Sequence, residues 1–198
     1  ENNYNVIAPT RKALDLNNNL SIEHFIKKNR MLKVDILINN AGINYPQWID
    51  QATDKNIEET VQVNLIAPIK LTRSFINHMK KQKWGRIINI SSMFGVIARG
   101  KQVLYSASKH GLNGATKALA LELAPYNILV NSICPGFINT DLVKINTKEK
   151  INALEKEIPL GRLGKTKEVA YLVEFLISKK NSYITGAIIV IDGGYSIK

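Results

Sequence analysis

Short, continuously apolar runs alternate along this chain with longer stretches in which apolar residues recur every three or four positions. The runs at residues 4–8, 12–16, 35–39, 86–91, 128–133 and 187–191 predict strands. Residues 22–31, 54–82, 103–125, 148–157 and 167–178 carry the helical period. Strands this apolar are covered on both faces, as happens when helices connect parallel strands. The expected fold is α/β: a doubly wound parallel sheet of the Rossmann type in three αβα layers, one domain over residues 1–198. Internal repeats and low-complexity linkers are absent.

Two details refine the helices. Pro68 falls inside the second helical stretch. It has no N–H for the carbonyl four residues back, which belongs to Asn64, so a kink with that oxygen released is expected, able to hold a water. Residues 111–124 read GLNGATKALALELA, small or apolar around most of the circumference. Such a helix is buried on more than one side, which predicts a homodimer or homotetramer.

Composition narrows the function classes. Hydrophobic residues make up 45% and charged residues 22% of the 198, the balance of a folded soluble chain. No apolar run reaches the roughly 20 residues that span a bilayer. The one cysteine, Cys134, has no partner for an internal disulfide or a cysteine metal cluster, which together with the absence of a signal-peptide pattern predicts a cytoplasmic setting. The net charge of +11 is scattered, and its densest patch (Lys80, Lys81, Lys83, Arg86) closes one helix without interleaved aromatics. That pattern suits a helix C-terminus and argues against nucleic acid as ligand. His24, His78 and His110 show no ligand or triad spacing.

The chemistry concentrates at Tyr105-Ser106-Ala107-Ser108-Lys109. A phenol and an ammonium four residues apart share one helical face. A tyrosine titrates near ~10, and a fixed cation beside it favours the phenolate, giving a proton donor and acceptor for alcohol–ketone chemistry. Other groups gather at the carboxyl ends of neighbouring strands, where open α/β sheets bind ligands. Asn39-Asn40-Ala41-Gly42 ends one strand, Ser91-Ser92 the next, and Cys134-Pro135-Gly136 a third, with Thr140 nearby. Ser91 and Cys134 read as structural, a strand-end hydroxyl and a small buried hydrophobe.

These motifs closely resemble the short-chain dehydrogenase/reductase family, in the branch that includes 3-oxoacyl-[acyl-carrier-protein] reductases. The resemblance runs from Tyr4 to Ile197 and includes Val63-Asn64-Leu65, Val130-Asn131, Thr185-Gly186 and Asp192-Gly193-Gly194. It implies that Tyr105 exchanges a proton with the substrate oxygen, that Lys109 lowers the Tyr105 pKa and holds the nicotinamide ribose, and that Ser92 binds the substrate carbonyl. Asn64 would hold a relay water through its backbone oxygen. Asn39, Ala41 and Gly42 would line the adenosine and ribose side. Ile133, Pro135, Gly136 and Thr140 would meet nicotinamide and phosphates, and Asp15 the adenine. Thr185-Gly186 and Asp192-Gly193-Gly194 shape turns.

One part of the family pattern is missing. No Thr-Gly-x-x-x-Gly-x-Gly phosphate loop occurs, and residues 4–8 match the family's second strand, so the chain reads as lacking one N-terminal βα unit. With the central first strand gone, a slot between the second and fourth strands is expected. The second strand is followed by Arg11 and has no carboxylate at its end, which favours NADP(H) over NAD(H), since Arg suits a 2′-phosphate. The segment 141–159 resembles a substrate lid. The expected activity is hydride transfer between NADP(H) and a carbonyl or secondary alcohol, with a small molecule or 3-oxoacyl thioester as substrate and an acidic carrier protein docking on the basic patch. A sugar or nucleotide-sugar ketoreductase of the same family and a non-catalytic binding module on the same fold are the rivals.

Overall fold

Ile87 and Ile88 face opposite sides of one strand, and both are fully buried, so the sheet they belong to is covered on both sides. In the computed structural model, which describes residues 4–140 and 147–198, four parallel strands lie in sequential order. They are β1 (Ile36–Asn39), β2 (Gly85–Ile90), β3 (Ile128–Pro135) and β4 (Ile188–Ile191). Asn39 is opposite Asn89, Ile90 opposite Ile133, and Pro135 opposite Ile191, so all four strands end along one rim.

The helices are α1 (Asn19–Lys28), α2 (Asp54–Val61), α3 (Ala67–Gln82), α4 (Val103–Leu123), α5 (Lys148–Glu157) and α6 (Thr166–Ile177). On one face, Met79 of α3 and Ala120 and Leu123 of α4 pack on Ile87, Ile128 and Val130. On the other, Leu176 and Ile177 of α6 pack on Ile88 and Ile133. The long helical stretch at 54–82 is divided by a five-residue π-turn, Gln62–Ile66, where the Ala67 N–H reaches back to Gln62. Pro68, at the start of α3, offers no donor to the Asn64 carbonyl, and the wider turn takes up the difference.

Three expectations are corrected. Residues 4–8 are exposed and irregular, and 12–16 include a turn in which the Ala13 and Leu14 N–H groups donate to Thr10. A strand exists only with a partner, and among the described residues none pairs with β1 on its outer side, so β1 is an edge and no internal slot forms. Arg86 does not belong to the exposed basic patch. It is 3% exposed within β2, donates to the carbonyls of Gly85 and Asn181, and stacks on Trp84. The lid-like segment 141–159 falls partly outside the described residues, and its remainder contains α5, capped by Thr147.

Candidate active site

α4 brings its first turns against the ends of β2 and β3, and Tyr105 and Lys109 sit one turn apart on the face that meets this rim. The Ile90 carbonyl, last in β2, accepts from Lys109 Nζ at 2.8 Å. The chain then continues extended through Ser92, whose Oγ accepts from the Phe94 N–H at 3.1 Å and so starts the short turn Met93–Gly95. Ser92 and Tyr105 line one and the same cavity. Lys109 Nζ lies 5.7 Å from the centre of the Tyr105 ring.

Asn64 completes the group from the π-turn. Its side chain is fully buried: Oδ1 accepts from the Ile43 N–H at 2.9 Å, while Nδ2 donates to the Ile43 carbonyl at 2.9 Å and to Ser108 Oγ at 3.1 Å. It thereby holds the loop after β1 against α4. Gly42 lies at the closest approach, since a Cβ there would stand 3.3 Å from both Asn64 Oδ1 and Lys109 Nζ.

Burial dominates the electrostatics. Lys109, 2% exposed, has its pKa lowered to about 8 because removal from water disfavours the ammonium. Burial pushes the Tyr105 phenol above its ordinary value, and the neighbouring Ser92 hydroxyl opposes that rise. The net direction at Tyr105 is thus upward, opposite to the lowering expected, while the Lys109 ammonium is turned to the Ile90 carbonyl.

A cavity of about 250 Å³ opens over these groups, lined by Ser92, Tyr105, Lys109, Gly42, Pro135, Gly136 and Thr140 among others. Five residues expected near a ligand do not line it. Asn39 is buried beneath the rim, where its Nδ2 donates to Asn89 Oδ1 at 2.8 Å, and Asn89 in turn donates to Thr116 at 2.9 Å. Ile133 is core. Ala41 is exposed in the loop. Arg11 and Asp15 form a surface ion pair at 3.7 Å, and Asp15 caps the turn at Asn17. Gly136 lines the cavity, yet a Cβ on it would meet Asp192 Cα at 2.8 Å, so packing against Asp192 alone already demands a glycine.

The cavity also takes Asn40, Ile43, Asn44, Ile90 and Ser91, to which sequence reasoning gave no part in binding. Their signal was position: the loop leaving β1 at Gly42 has to run across the rim. Ser91 keeps its structural reading, with Oγ donating to the Lys109 carbonyl at 3.2 Å. Among the described residues no helix is long and apolar enough to cross a membrane, and no cluster of metal-ligating side chains forms.

The family described as enoyl-(acyl carrier protein) reductase matches residues 7–196. The chain is 43% identical to the 3-oxoacyl-[acyl-carrier-protein] reductase FabG of Aquifex aeolicus, with 92% of this chain and 76% of that protein aligned. Against FabG of Thermotoga maritima it is 42% identical, over 83% of this chain and 67% of the relative. Among solved structures, a mutant 4-hydroxyisoleucine dehydrogenase complexed with NADH and succinate superposes with a TM-score of 0.89 at 35% identity, covering 93% of this chain and 78% of that one. ElxO with NADP bound superposes at 0.86 with 29% identity, over 93% and 77%. With matching strand-end motifs, one shared rim and this degree of identity, the chain belongs to the short-chain dehydrogenase/reductase family, nicotinamide-dependent oxidoreductases that act on CH–OH and carbonyl groups.

Proposed function

We propose that this chain reduces the carbonyl of a 3-oxoacyl thioester, carried on an acidic carrier protein, with NADP(H) as the preferred cofactor. The observation that carries the reading is the convergence of Ser92, Tyr105 and Lys109 on one cavity, with Lys109 buried and anchored on the Ile90 carbonyl. Surface ion pairing does not call for a lysine held this deep, whereas proton handling in a closed site does.

The residues fit the nicotinamide–ribose end of a dinucleotide. The close approach at Gly42 leaves room for a bulky group where any side chain would crowd Asn64 and Lys109. Lys109 and Tyr105 would hold the ribose hydroxyls, with Asn40, Gly42, Gly136 and Thr140 around them. Bound nicotinamide supplies the hydride. Ser92 orients the substrate carbonyl by donating to its oxygen and stabilises the charge that develops there. Tyr105 gives its proton to that oxygen, forming the alcohol. Lys109 stabilises the resulting phenolate, and protons return to it past Asn64, whose backbone oxygen is positioned by the π-turn.

Arg11 supports the NADP(H) preference, because it is 82% exposed and among the described residues pairs with Asp15 alone, leaving its guanidinium open to a 2′-phosphate. Lys80, Lys81 and Lys83 at the end of α3 remain the cationic group for an acidic carrier once Arg86 is removed from it. A keto-sugar reductase is the second reading. One observation favours it: Asn44 Oδ1, in a residue lining the cavity, is a buried acceptor without a partner among the described residues, better matched to a hydroxyl than to an acyl chain.

The deciding assay gives the full-length protein acetoacetyl thioester or a keto-sugar acid with NADPH or NADH, and follows loss of reduced nicotinamide. Turnover of the thioester with NADPH at the highest kcat/KM is expected. A better kcat/KM with NADH overturns the cofactor preference, and absence of any dinucleotide binding overturns the enzyme reading in favour of a binding module. Tyr105→Phe should lower kcat by about 10²- to 10⁴-fold while leaving cofactor affinity nearly intact.

A further inference from the structure

Tyr105, Lys109 and Asn113 follow one another at intervals of four along α4 and therefore share one face. The first two face the cavity, and the third lies one turn deeper. Asn113 is 6% exposed, and both ends of its carboxamide are engaged. Its Nδ2 donates to the Gly95 carbonyl at 2.8 Å, and its Oδ1 accepts from Ser132 Oγ at 2.7 Å. Cys134 Sγ adds longer contacts at 3.6 and 3.8 Å. One side chain thus joins α4, β3 and the turn Met93–Gly95.

That turn begins at Ser92. The Gly95 N–H donates to the Ser92 carbonyl at 2.8 Å, and the Phe94 N–H donates to Ser92 Oγ at 3.1 Å. The four residues Ser92 to Gly95, closed by these bonds, move as one piece, so fixing Gly95 fixes Ser92. Space enforces the same arrangement: a Cβ on Gly95 would come within 2.7 Å of Ser91 Oγ, 2.9 Å of Asn113 Nδ2 and 3.0 Å of the Lys109 carbonyl. The turn lies flat on α4, and Asn113 is the side chain that grips its far end.

We propose that Asn113 is a positioning residue for the reaction, which through Gly95 sets the Ser92 hydroxyl against the Tyr105 phenol. This rests on the reading of Ser92 and Tyr105 as the reacting pair. The residue type follows from the two bonds. The site needs a donor for a carbonyl and an acceptor for a hydroxyl on one short planar group, which a carboxamide provides and a carboxylate does not. The chemical consequence lies in the Tyr105 proton. Ser92 opposes the rise that burial gives the phenol, so a displaced Ser92 leaves that proton held more tightly. Lys109 and Cys134 are the titratable groups facing the phenol, and Tyr195 shares its apolar cluster. Lys109 has its own anchor at Ile90, so loosening Asn113 acts on Ser92 first.

The test is the pH dependence of alcohol oxidation by the full-length protein, whose ascending limb reports the Tyr105 ionisation. Asn113→Ala should lower kcat about tenfold, the effect of one lost hydrogen bond, and move that limb upward by about half to one pH unit. Affinity for reduced cofactor should stay within about twofold. Asn113→Asp retains the bond from Ser132 but turns an acceptor toward the Gly95 carbonyl, and should shift the limb in the same direction. Ser132→Ala leaves the Gly95 bond in place and should lower Tm without moving the limb. Asn113→Ser, a milder change assayed well below its Tm, carries the test if the alanine variant does not fold. A folded Asn113 variant with a lower Tm but unchanged kcat and an unmoved limb would show a purely structural role and overturn the proposal. If Tyr105→Phe keeps its activity, the reading of the pair has failed instead.

Discussion

Lys109 spends its charge in a place that disfavours it. Its pKa falls from 10.5 to about 8 on burial, so between those values the unfolded chain binds a proton that the folded chain has released. Stability contributed by this residue therefore rises with pH across that window, and below about 8 the full penalty is present. The difference in unfolding free energy between the protein and Lys109→Met should change in favour of the native lysine by about 3 kcal/mol from pH 7 to pH 10.5. Denaturant titrations of both proteins at the two pH values measure it, and a flat difference would contradict a buried, displaced titration. At this scale the sequence was informative about Ser92, Tyr105 and Lys109, because spacing along one helix is geometry. It was less informative about Asn39 and Ile133, whose positions beside the site say nothing about which side of the rim the side chain takes.

At the level of elements, the buried strands and the helix ends were legible for local reasons. β2 and β3 each carry a run of branched apolar residues, Ile87-Ile88 and Ile128-Leu129-Val130, and Thr53 and Thr147 each accept from an N–H three residues on, fixing the starts of α2 and α5. Residues 4–8 carry the same apolar pattern yet form no strand, because pairing depends on a neighbour that local pattern does not encode. Arg86 was misread for a related reason: a charge inside a strand looks like surface until the Asn181 carbonyl that receives it is known. Pro68 was the strongest single clue to the π-turn that holds Asn64. Pro68→Ala restores a donor for the Asn64 carbonyl, so the helix gains a route back to the α register. We expect kcat to fall several-fold while helical circular dichroism holds or rises, and an unchanged kcat would remove that carbonyl from the mechanism.

For the whole molecule, the outer face of α4 is an exposed face built of small and apolar residues. Val103 and Leu121 are 52% and 81% exposed, and the exposed Ala107, Gly114 and Ala118 lie along the same face. Small residues let a second helix approach closely, and the exposed apolar ends reward it. A dimer or tetramer in light scattering is the expected outcome, with Leu121→Glu shifting the protein toward monomer. A native protein that is already monomeric would refute this. In such a dimer the same helix would serve two surfaces at once, with Tyr105 and Lys109 on its inner side and the partner on its outer one.

The bond between Asn64 and Ile43 has a kinetic consequence. Ile43 lies in a loop beside exposed Ala41 and Gly42, where amide hydrogens ordinarily trade with solvent quickly. Its hydrogen is instead handed to an oxygen with no solvent contact at all. In a deuterium-exchange experiment this one loop amide should be protected like a β2 amide, and its rate should report how often the π-turn opens. A fast Ile43 would mean that the loop and the turn move independently.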